Sequence, residues 1–267
     1  MDKDLGNPFA FGRTADIYAW EPGKVLKLFR PGFPEHHAAY EFETTRKVEE
    51  TGFRVPAVYE QVTVGKRFGV VYGFVQGELL ADRIVKTPWK VDELAKALAR
   101  THIDMHKHAA PTLESQKSRL RRKIESVEGA PDDVKQAALS ALDSLPDGDQ
   151  LCHNDFHPAN VLFTASGLVT IDWMDGGRGH PLIDVARTFL LLSVGELPPG
   201  IVLRMVVSLL RNRFIRVYLD EYFRHSAYQR AEMDAWLFPV AFGRFSEDIP
   251  EERGRLEKLV RNLFQTL

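Results

Sequence analysis

The spacing of apolar residues changes character along this chain. Residues 17–20 and 25–29 are short β-prone runs on either side of Glu21-Pro22-Gly23-Lys24, a turn signal, which predicts a hairpin. Between residues 35 and 51, Ala38, Ala39, Phe42, Thr45 and Val48 recur at three- and four-residue spacing. That period predicts a helix, and Gly52 fits its stop. Residues 58–64 and 68–75 read as a second pair of strands around Gly65-Lys66-Arg67. The predicted order is strand, strand, helix, strand, strand.

After Gly77 helical spacing takes over. Residues 91–108 place Leu94, Leu98, Thr101 and Met105 on one face. Residues 118–127 and 132–145 read as helices, and so do 182–194, 201–225, 229–238 and 251–267. Residues 151–171 interrupt them with a motif-dense segment predicted to hold two small strands. The join between the strand-rich and helix-rich parts falls near Gln76-Gly77. No internal repeat, low-complexity tract, heptad or exposed apolar strip stands out, so the oligomeric state is not legible.

Composition narrows the class. The chain has 267 residues, 44% of them apolar, enough for a sizeable core in one fold or one fold with two lobes. Lys plus Arg total 35 against 37 Asp plus Glu, a net charge of −2, which argues against a dedicated nucleic-acid partner. Cys152 is the single cysteine, so an intrachain disulfide framework and a cysteine zinc cluster are excluded. The opening MDKDLGNPF has no basic region followed by an apolar run, so no signal peptide is expected. Apolar runs around 189–194 and 205–210 are too short to span a membrane. A soluble, cytoplasmic protein without a membrane partner is the expectation.

Candidate chemistry is concentrated in HNDFHPAN, residues 153–160, and VTIDW, residues 169–173. Asp155 and Asn160 are five apart, and Asp172 lies twelve beyond Asn160 at the end of an apolar run. A loop carrying Asp and Asn, followed by a strand ending in Asp, can converge three oxygen-bearing side chains. Such hard ligands suit magnesium, which points to a polyphosphate substrate. Lys27 is a second signal: a lysine inside the apolar strand 25–29 needs a charged partner. Glu41 and Glu43 on the following helix are the candidates. A rival metal reading takes the alternation of His153, Asp155 and His157 as a zinc or di-metal hydrolase site, but no HExxH pattern accompanies it. A GxxxxGK[ST] motif is absent, which excludes a P-loop nucleotidase.

The 155/160/172 spacing matches the catalytic loop and metal-binding Asp of the protein-kinase fold. More closely, HNDFHPAN…IDW…GHPLIDVA resembles the aminoglycoside phosphotransferase and choline kinase superfamily, whose usual form is HGD-x-HP-x-N. The resemblance runs from about residue 11 to about residue 194 and weakens beyond. It implies an α+β, protein-kinase-like fold with a small strand-rich N-terminal lobe and a larger, mainly helical C-terminal lobe. Residues 1–76 are then the nucleotide-binding lobe, and 77–267 the catalytic and acceptor-binding lobe. It implies ATP (or GTP) and Mg2+ as cofactors.

By the same resemblance Asp155 stands at the catalytic-base position, Asn160 and Asp172 hold the metal, and His153 braces the loop. Asp184 buttresses the loop through backbone hydrogen bonds. Lys27 contacts the nucleotide phosphates and is fixed by an acidic helix residue, for which the register AYEFETTRKVEETGFRVP favours Glu41. Gly12, in Gly12-Arg13-Thr14-Ala15-Asp16, is the candidate phosphate-covering turn; a plain turn glycine is an equal alternative. The adenine is expected beside residues 72–75.

The implied activity is transfer of a γ-phosphoryl group to a hydroxyl of a small molecule. Only eleven residues separate Asp172 from Asp184, too few to dock a peptide acceptor. The alternative is a nucleotide-binding sensor or scaffold without transfer activity. Asp175, Asp220, Glu221, Glu247 and Asp248 are candidates to receive a cationic acceptor, each weighed against an ordinary surface carboxylate. Trp236, Phe238, Phe242 and Phe245 are weighed as a pocket lining against core packing. Antibiotic and metabolite acceptors are not separable from the sequence.

Overall fold

The first hairpin forms where its turn signal predicts, and it builds the middle of a five-stranded antiparallel sheet. In the computed structural model, which describes residues 5–12, 14–195 and 200–266, the strands are β1 (Ala10–Phe11), β2 (Ala15–Ala19), β3 (Lys24–Phe29), β4 (Val58–Val64) and β5 (Arg67–Gly73). Their order is β1-β2-β3-β5-β4. Gly23 takes φ +76° in the β2–β3 turn, a conformation that glycine adopts without steric cost. β3 is central, so both its faces are covered. Leu26 and Leu28 pack with Tyr18 and Val71 on one face. Phe29 packs with Ala38 and Val70 on the other, and alternation turns Lys27 to that second face as well. Gly69 faces Leu28 across the β3–β5 ladder; a Cβ there would lie 2.6 Å from the Lys27 carbonyl oxygen.

Helix α1 (Glu35–Glu50) covers the second face and buries Ala38, Glu41, Thr44, Thr45 and Val48. It ends at Thr51, and Gly52 follows at φ +80°, as its stop position requires.

The chain then crosses to a helix-rich part. β6 (Glu78–Leu79) pairs with β8 (Val161–Thr164), which pairs with β9 (Gly167–Thr170). β7 (Gln150–Cys152) pairs with β10 (Gly177–Gly179). Around these ribbons stand α2 (Leu80–Lys86), α3 (Val91–Met105), α4 (Gln116–Glu125), α5 (Asp132–Ser144), α6 (Pro181–Val194), α7 (Ile201–His225), α8 (Arg230–Gly243) and α9 (Pro250–Phe264). The fold is α+β, as expected. One large core joins Leu94 and Leu98 of α3, Phe156, Trp173, Tyr218 and Tyr222 of α7, and Trp236 of α8.

Some elements depart from the sequence expectation. β1, β6, α2 and β10 lie outside the expected elements, and the segment expected to hold two small strands holds three, β7, β8 and β9; such short strands and a seven-residue helix show no period. α4 starts at Gln116 rather than 118, because Ser115 caps it by accepting the Ser118 N–H at 3.2 Å. α8 runs through Pro239 to Gly243, past the expected end at 238. An exposed apolar strip does exist: Ile201, Met205 and Leu209 lie one turn apart on α7 and are mostly exposed. Their spacing reads like that of a core helix, and only packing shows that no described residue covers them. The expected end of the last helix at 267 lies outside the described residues. No described helix is long and apolar enough to cross a membrane.

Trp236 tests this core. Its ring is fully buried and stacks on His180 with centroids 5.7 Å apart. Trp236→Ala is expected to cost about 3–5 kcal/mol of unfolding free energy, measured by urea denaturation.

Candidate functional site

Lys27 finds its partner on the helix that covers its strand. Its ammonium lies 2.7 and 2.9 Å from the two carboxylate oxygens of Glu41 and 3.0 Å from Asp172 Oδ1. Glu41 is fully buried, and Glu43 pairs instead with Arg46 in solvent. The phenol of Tyr72, on β5, donates to Glu41 Oε1 at 2.8 Å. Thr45 Oγ1 donates to the Glu41 carbonyl at 2.8 Å. Burial alone would lower the Lys27 pKa; the carboxylates of Asp172 and Glu41 outweigh it and hold the ammonium charged, above the ordinary lysine range. The contact of Tyr72 with Glu41 was missed in the sequence, which gave residues 72–75 only as the end of a strand beside the expected adenine.

The loop after β7 is held from beneath by one carboxylate. Asp184, fully buried on α6, accepts the backbone N–H groups of His153 (2.6 Å) and Asn154 (2.7 Å). Asn154 sits at φ +63°, a left-handed conformation that Asn tolerates better than most side chains. It occupies the position where HGD-x-HP-x-N carries glycine. His153 braces the loop in two directions. Its Nδ1 accepts from the Asp155 N–H at 3.2 Å, which leaves the proton on Nε2, 3.0 Å from the Ile171 carbonyl. The Ile171 N–H in turn donates to the Asn160 carbonyl at 3.0 Å, so the segment bearing Asp172 is fastened beside Asn160.

Asp155 and Asn160 meet directly. Asn160 Nδ2 donates to Asp155 Oδ2 at 2.8 Å and to the Asp155 carbonyl at 2.9 Å. His157 Nδ1 accepts from the Ala159 N–H, and its Nε2 lies 3.5 Å from Asp155 Oδ2. Burial would raise the Asp155 pKa; the hydrogen bond and charge of His157, then the charge of Arg187, outweigh it and hold the carboxyl below its usual range. Asp172 follows β9 in the left-handed region (φ +66°), its side chain about one-third exposed at 37%. With Nδ2 of Asn160 spent on Asp155 and Oδ1 of Asp172 on Lys27, Asn160 Oδ1 and Asp172 Oδ2 accept no hydrogen bond from any described residue. Two hard oxygens on adjacent segments form a donor set that fits a divalent cation.

Gly12 lies in the turn between β1 and β2, where its N–H donates to the Ala15 carbonyl at 2.8 Å. A Cβ there would lie 3.0 Å from the same oxygen, so the turn needs a small residue. Arg13, beside it in the expected phosphate-covering turn, is outside the described residues. Of the acidic acceptor candidates, Asp175 and Glu247 come together through Lys123, 3.9 Å from Asp175 Oδ1 and 3.1 Å from Glu247 Oε1. Glu221 is buried elsewhere against Arg100, Asp220 is exposed on α7, and Asp248 is exposed beside Arg253. Trp236, Phe238 and Phe242 are buried in the core, so they form no aromatic cage. The histidines 153 and 157 face different partners and do not converge as a zinc site.

A second layer was missed in the sequence. His102 of α3 and His106, the residue that caps its end one turn on, place Nε2 at 3.1 and 3.4 Å from Asp184 Oδ2. Their Nδ1 atoms meet the Tyr218 and Tyr222 hydroxyls of α7 at 2.6 and 2.8 Å. Tyr222 and His106 form a hydrogen-bonded relay that ends on the carboxylate that holds the loop; His102 packs against the same carboxylate without a hydrogen bond to it. The paired four-residue spacings, 102/106 and 218/222, were the available signal.

Comparison with known proteins agrees with this geometry. Residues 7–235 match the family described as "Phosphotransferase enzyme family". No curated protein sequence matches the chain. Among solved structures, the chain is similar to amicoumacin kinase hAmiN in complex with AMP-PNP, Ca2+ and Ami (15% identity, TM-score 0.63, 97% of this chain and 87% of that one). A thermostable mutant of aminoglycoside phosphotransferase APH(4)-Ia gives 17% identity and a TM-score of 0.64, over 97% of this chain and 94% of that one. A choline/ethanolamine kinase family protein from Mesorhizobium loti gives 15% and 0.60, over 96% and 85%. At these identities the likeness is one of fold, a kinase-like fold.

The buried ring of His102 yields a pH prediction. Burial, then the charge of His106, outweigh Asp184 and lower the His102 pKa to about 4, against about 6.5 unfolded. Its contribution to stability is therefore complete above pH 6.5 and is lost as pH falls toward 4. Urea denaturation across that window is expected to show the loss, and His102→Gln to flatten it. His180, also lowered by burial, leaves part of the slope in place. An unchanged slope in the variant would discount His102 as its source.

Proposed function

The chain belongs to the phosphotransferase enzyme family, and on that premise we propose that it transfers the γ-phosphoryl group of ATP to a hydroxyl of a small molecule, with magnesium. The observation that carries the reading is the bridge from Glu41 through Lys27 to Asp172, set beside the Asp155–Asn160 pair. In this reading residues 1–76 hold the nucleotide, with Gly12 in the turn over its phosphates, and residues 77–267 supply the loop and the acceptor site. The similarity to a kinase solved with AMP-PNP and Ca2+ supports a nucleotide and a divalent cation. The cytoplasm, which supplies both, is the proposed compartment.

Each residue's work follows from its surroundings. Lys27, kept charged and aimed by Glu41, neutralises phosphate oxygens. Asn160 Oδ1 and Asp172 Oδ2 would hold the cation, which supplies further charge neutralisation on the phosphates. Asp155, held ionised, accepts a hydrogen bond from the acceptor hydroxyl and points it at phosphorus. A carboxylate with so low a pKa is a weak base, so its main contribution is orientation and late proton acceptance. Asn160 Nδ2 fixes the rotamer of Asp155. The acceptor side is a balanced set of charges: Lys123 and Arg187 meet Glu247, and Arg119 meets Glu114. That balance favours a polar acceptor recognised by hydrogen bonds.

Asp155→Ala is expected to lower turnover roughly 10²–10⁴-fold while nucleotide binding is largely kept. Near-normal turnover in a magnesium–ATP consumption assay, run against a panel of antibiotic and metabolite alcohols, would sink the assignment. Asp172→Asn is expected to abolish the magnesium dependence of nucleotide binding in calorimetry. Persistence of that dependence would place the cation elsewhere.

A further inference from the structure

Glu247 lies in the short helical turn Arg244–Glu247 that follows α8, beyond residue 235 where the family match ends. Three cations from three elements converge on its carboxylate. Arg187 of α6 reaches Oε1 at 2.6 Å and Lys123 of α4 reaches the same oxygen at 3.1 Å. Arg244 bonds Oε2 and is itself held by Glu252 of α9 through two hydrogen bonds of 2.8 and 2.9 Å. Burial would raise the Glu247 pKa, but Arg187, Lys123 and Arg244 together lower it to about 2, so the carboxylate is charged at neutral pH.

The most consequential of these contacts is Arg187. Its side chain is almost fully buried, and its Nε donates to the Asn154 carbonyl at 3.2 Å. Asn154 is the left-handed residue between His153 and Asp155. A positive φ is held only where the surroundings over-determine it. Asp184 fixes the amide side of Asn154 and Arg187 the carbonyl side. A buried guanidinium needs a counter-charge. The void between Lys123, Asn154 and Arg187 is about 10 Å³, room for about one water at most. The charge of Arg187 also acts on Asp155.

We propose that Glu247 is a positioning residue for phosphoryl transfer: it holds Arg187 on the Asn154 carbonyl and away from Asp155, so that the C-terminal helices set the geometry of the catalytic loop. This rests on the reading that Asp155 orients the acceptor hydroxyl.

The experiment compares the full chain with Glu247→Gln, which keeps shape and loses charge, and with Glu247→Asp, which keeps charge and shortens the reach. Amide hydrogen exchange over residues 153–156, in protein without ligands, is expected to quicken in Glu247→Gln about tenfold more than exchange over α3, whatever the accompanying fall in melting temperature. In the ATP consumption assay the turnover number is expected to fall about tenfold with the KM for ATP within about twofold, a split that general destabilisation does not give. Glu247→Asp recovers part of both. Adding Arg187→Gln to Glu247→Gln is expected to cost little more than either alone, because both break one chain of contacts. Unchanged loop exchange, unchanged turnover, or fully additive losses would overturn the proposal. If Glu247→Gln does not fold, the same readouts on Glu247→Asp decide it. If the unsubstituted protein consumes no ATP with any acceptor, the phosphotransfer reading falls, and loop exchange alone then decides whether Glu247 holds the loop.

Discussion

A single fully buried carboxylate sets the terms for the loop that carries Asp155. Asp184 has no solvent, so its charge must be met by donors: the N–H groups of His153 and Asn154 and the ring of His106, with the His102 ring packed beside it at 3.1 Å. The carboxyl is held well below its usual range: burial opposes ionisation, and the two histidines outweigh it. Satisfying that charge pins two consecutive backbone amides, which forces Asn154 into its left-handed turn and presents Asp155 outward. Loop geometry is thus a by-product of solving a desolvation problem. α7 joins the solution through Tyr218 and Tyr222, so a helix that supplies no group to the reaction site still fixes it.

The second buried charge joins the two halves of the chain. Lys27 comes from the sheet, Glu41 from the helix laid on it, and Asp172 from beyond β9. Such a triad is weak as a source of stability, because desolvation offsets most of its attraction. Its value is geometric: it fixes where the sheet stands relative to the loop. Apolar and polar contacts reinforce the same junction. Phe53 meets Trp173 edge-to-face at 5.8 Å, and Arg54 donates to the Ser166 carbonyl at 2.6 Å.

The surroundings of Asp175 and Glu247 are built differently. Cations and carboxylates balance there, and Trp236, Phe238 and Phe242 are in the core while Phe245 is only partly buried. The network joins α4, α6, the turn after α8 and α9. Glu247, Arg244 and Glu252 lie beyond residue 235, where the family match ends, and Lys123, Asp175 and Arg187 lie within it.

The sequence by itself determined the strand–strand–helix–strand–strand start, the helical remainder, and the group of Lys27, Asp155, Asn160 and Asp172. Those are legible because period and short-range spacing encode them locally: a mid-strand lysine demands a partner, and Asp-x4-Asn brings two side chains of one loop together. The choice of Glu41 over Glu43 was also within reach, since one faces the sheet and the other does not. Tertiary structure alone decided Tyr72 behind Glu41, the placing of His102 and His106 against Asp184, Arg187 on the Asn154 carbonyl, and Glu247 as the point where Lys123 and Arg187 meet. Each of these joins residues 30 to more than 110 positions apart. A polar side chain at one position carries no local mark of which distant charge it will meet. That pairing is settled when the core closes and each buried charge must find a partner.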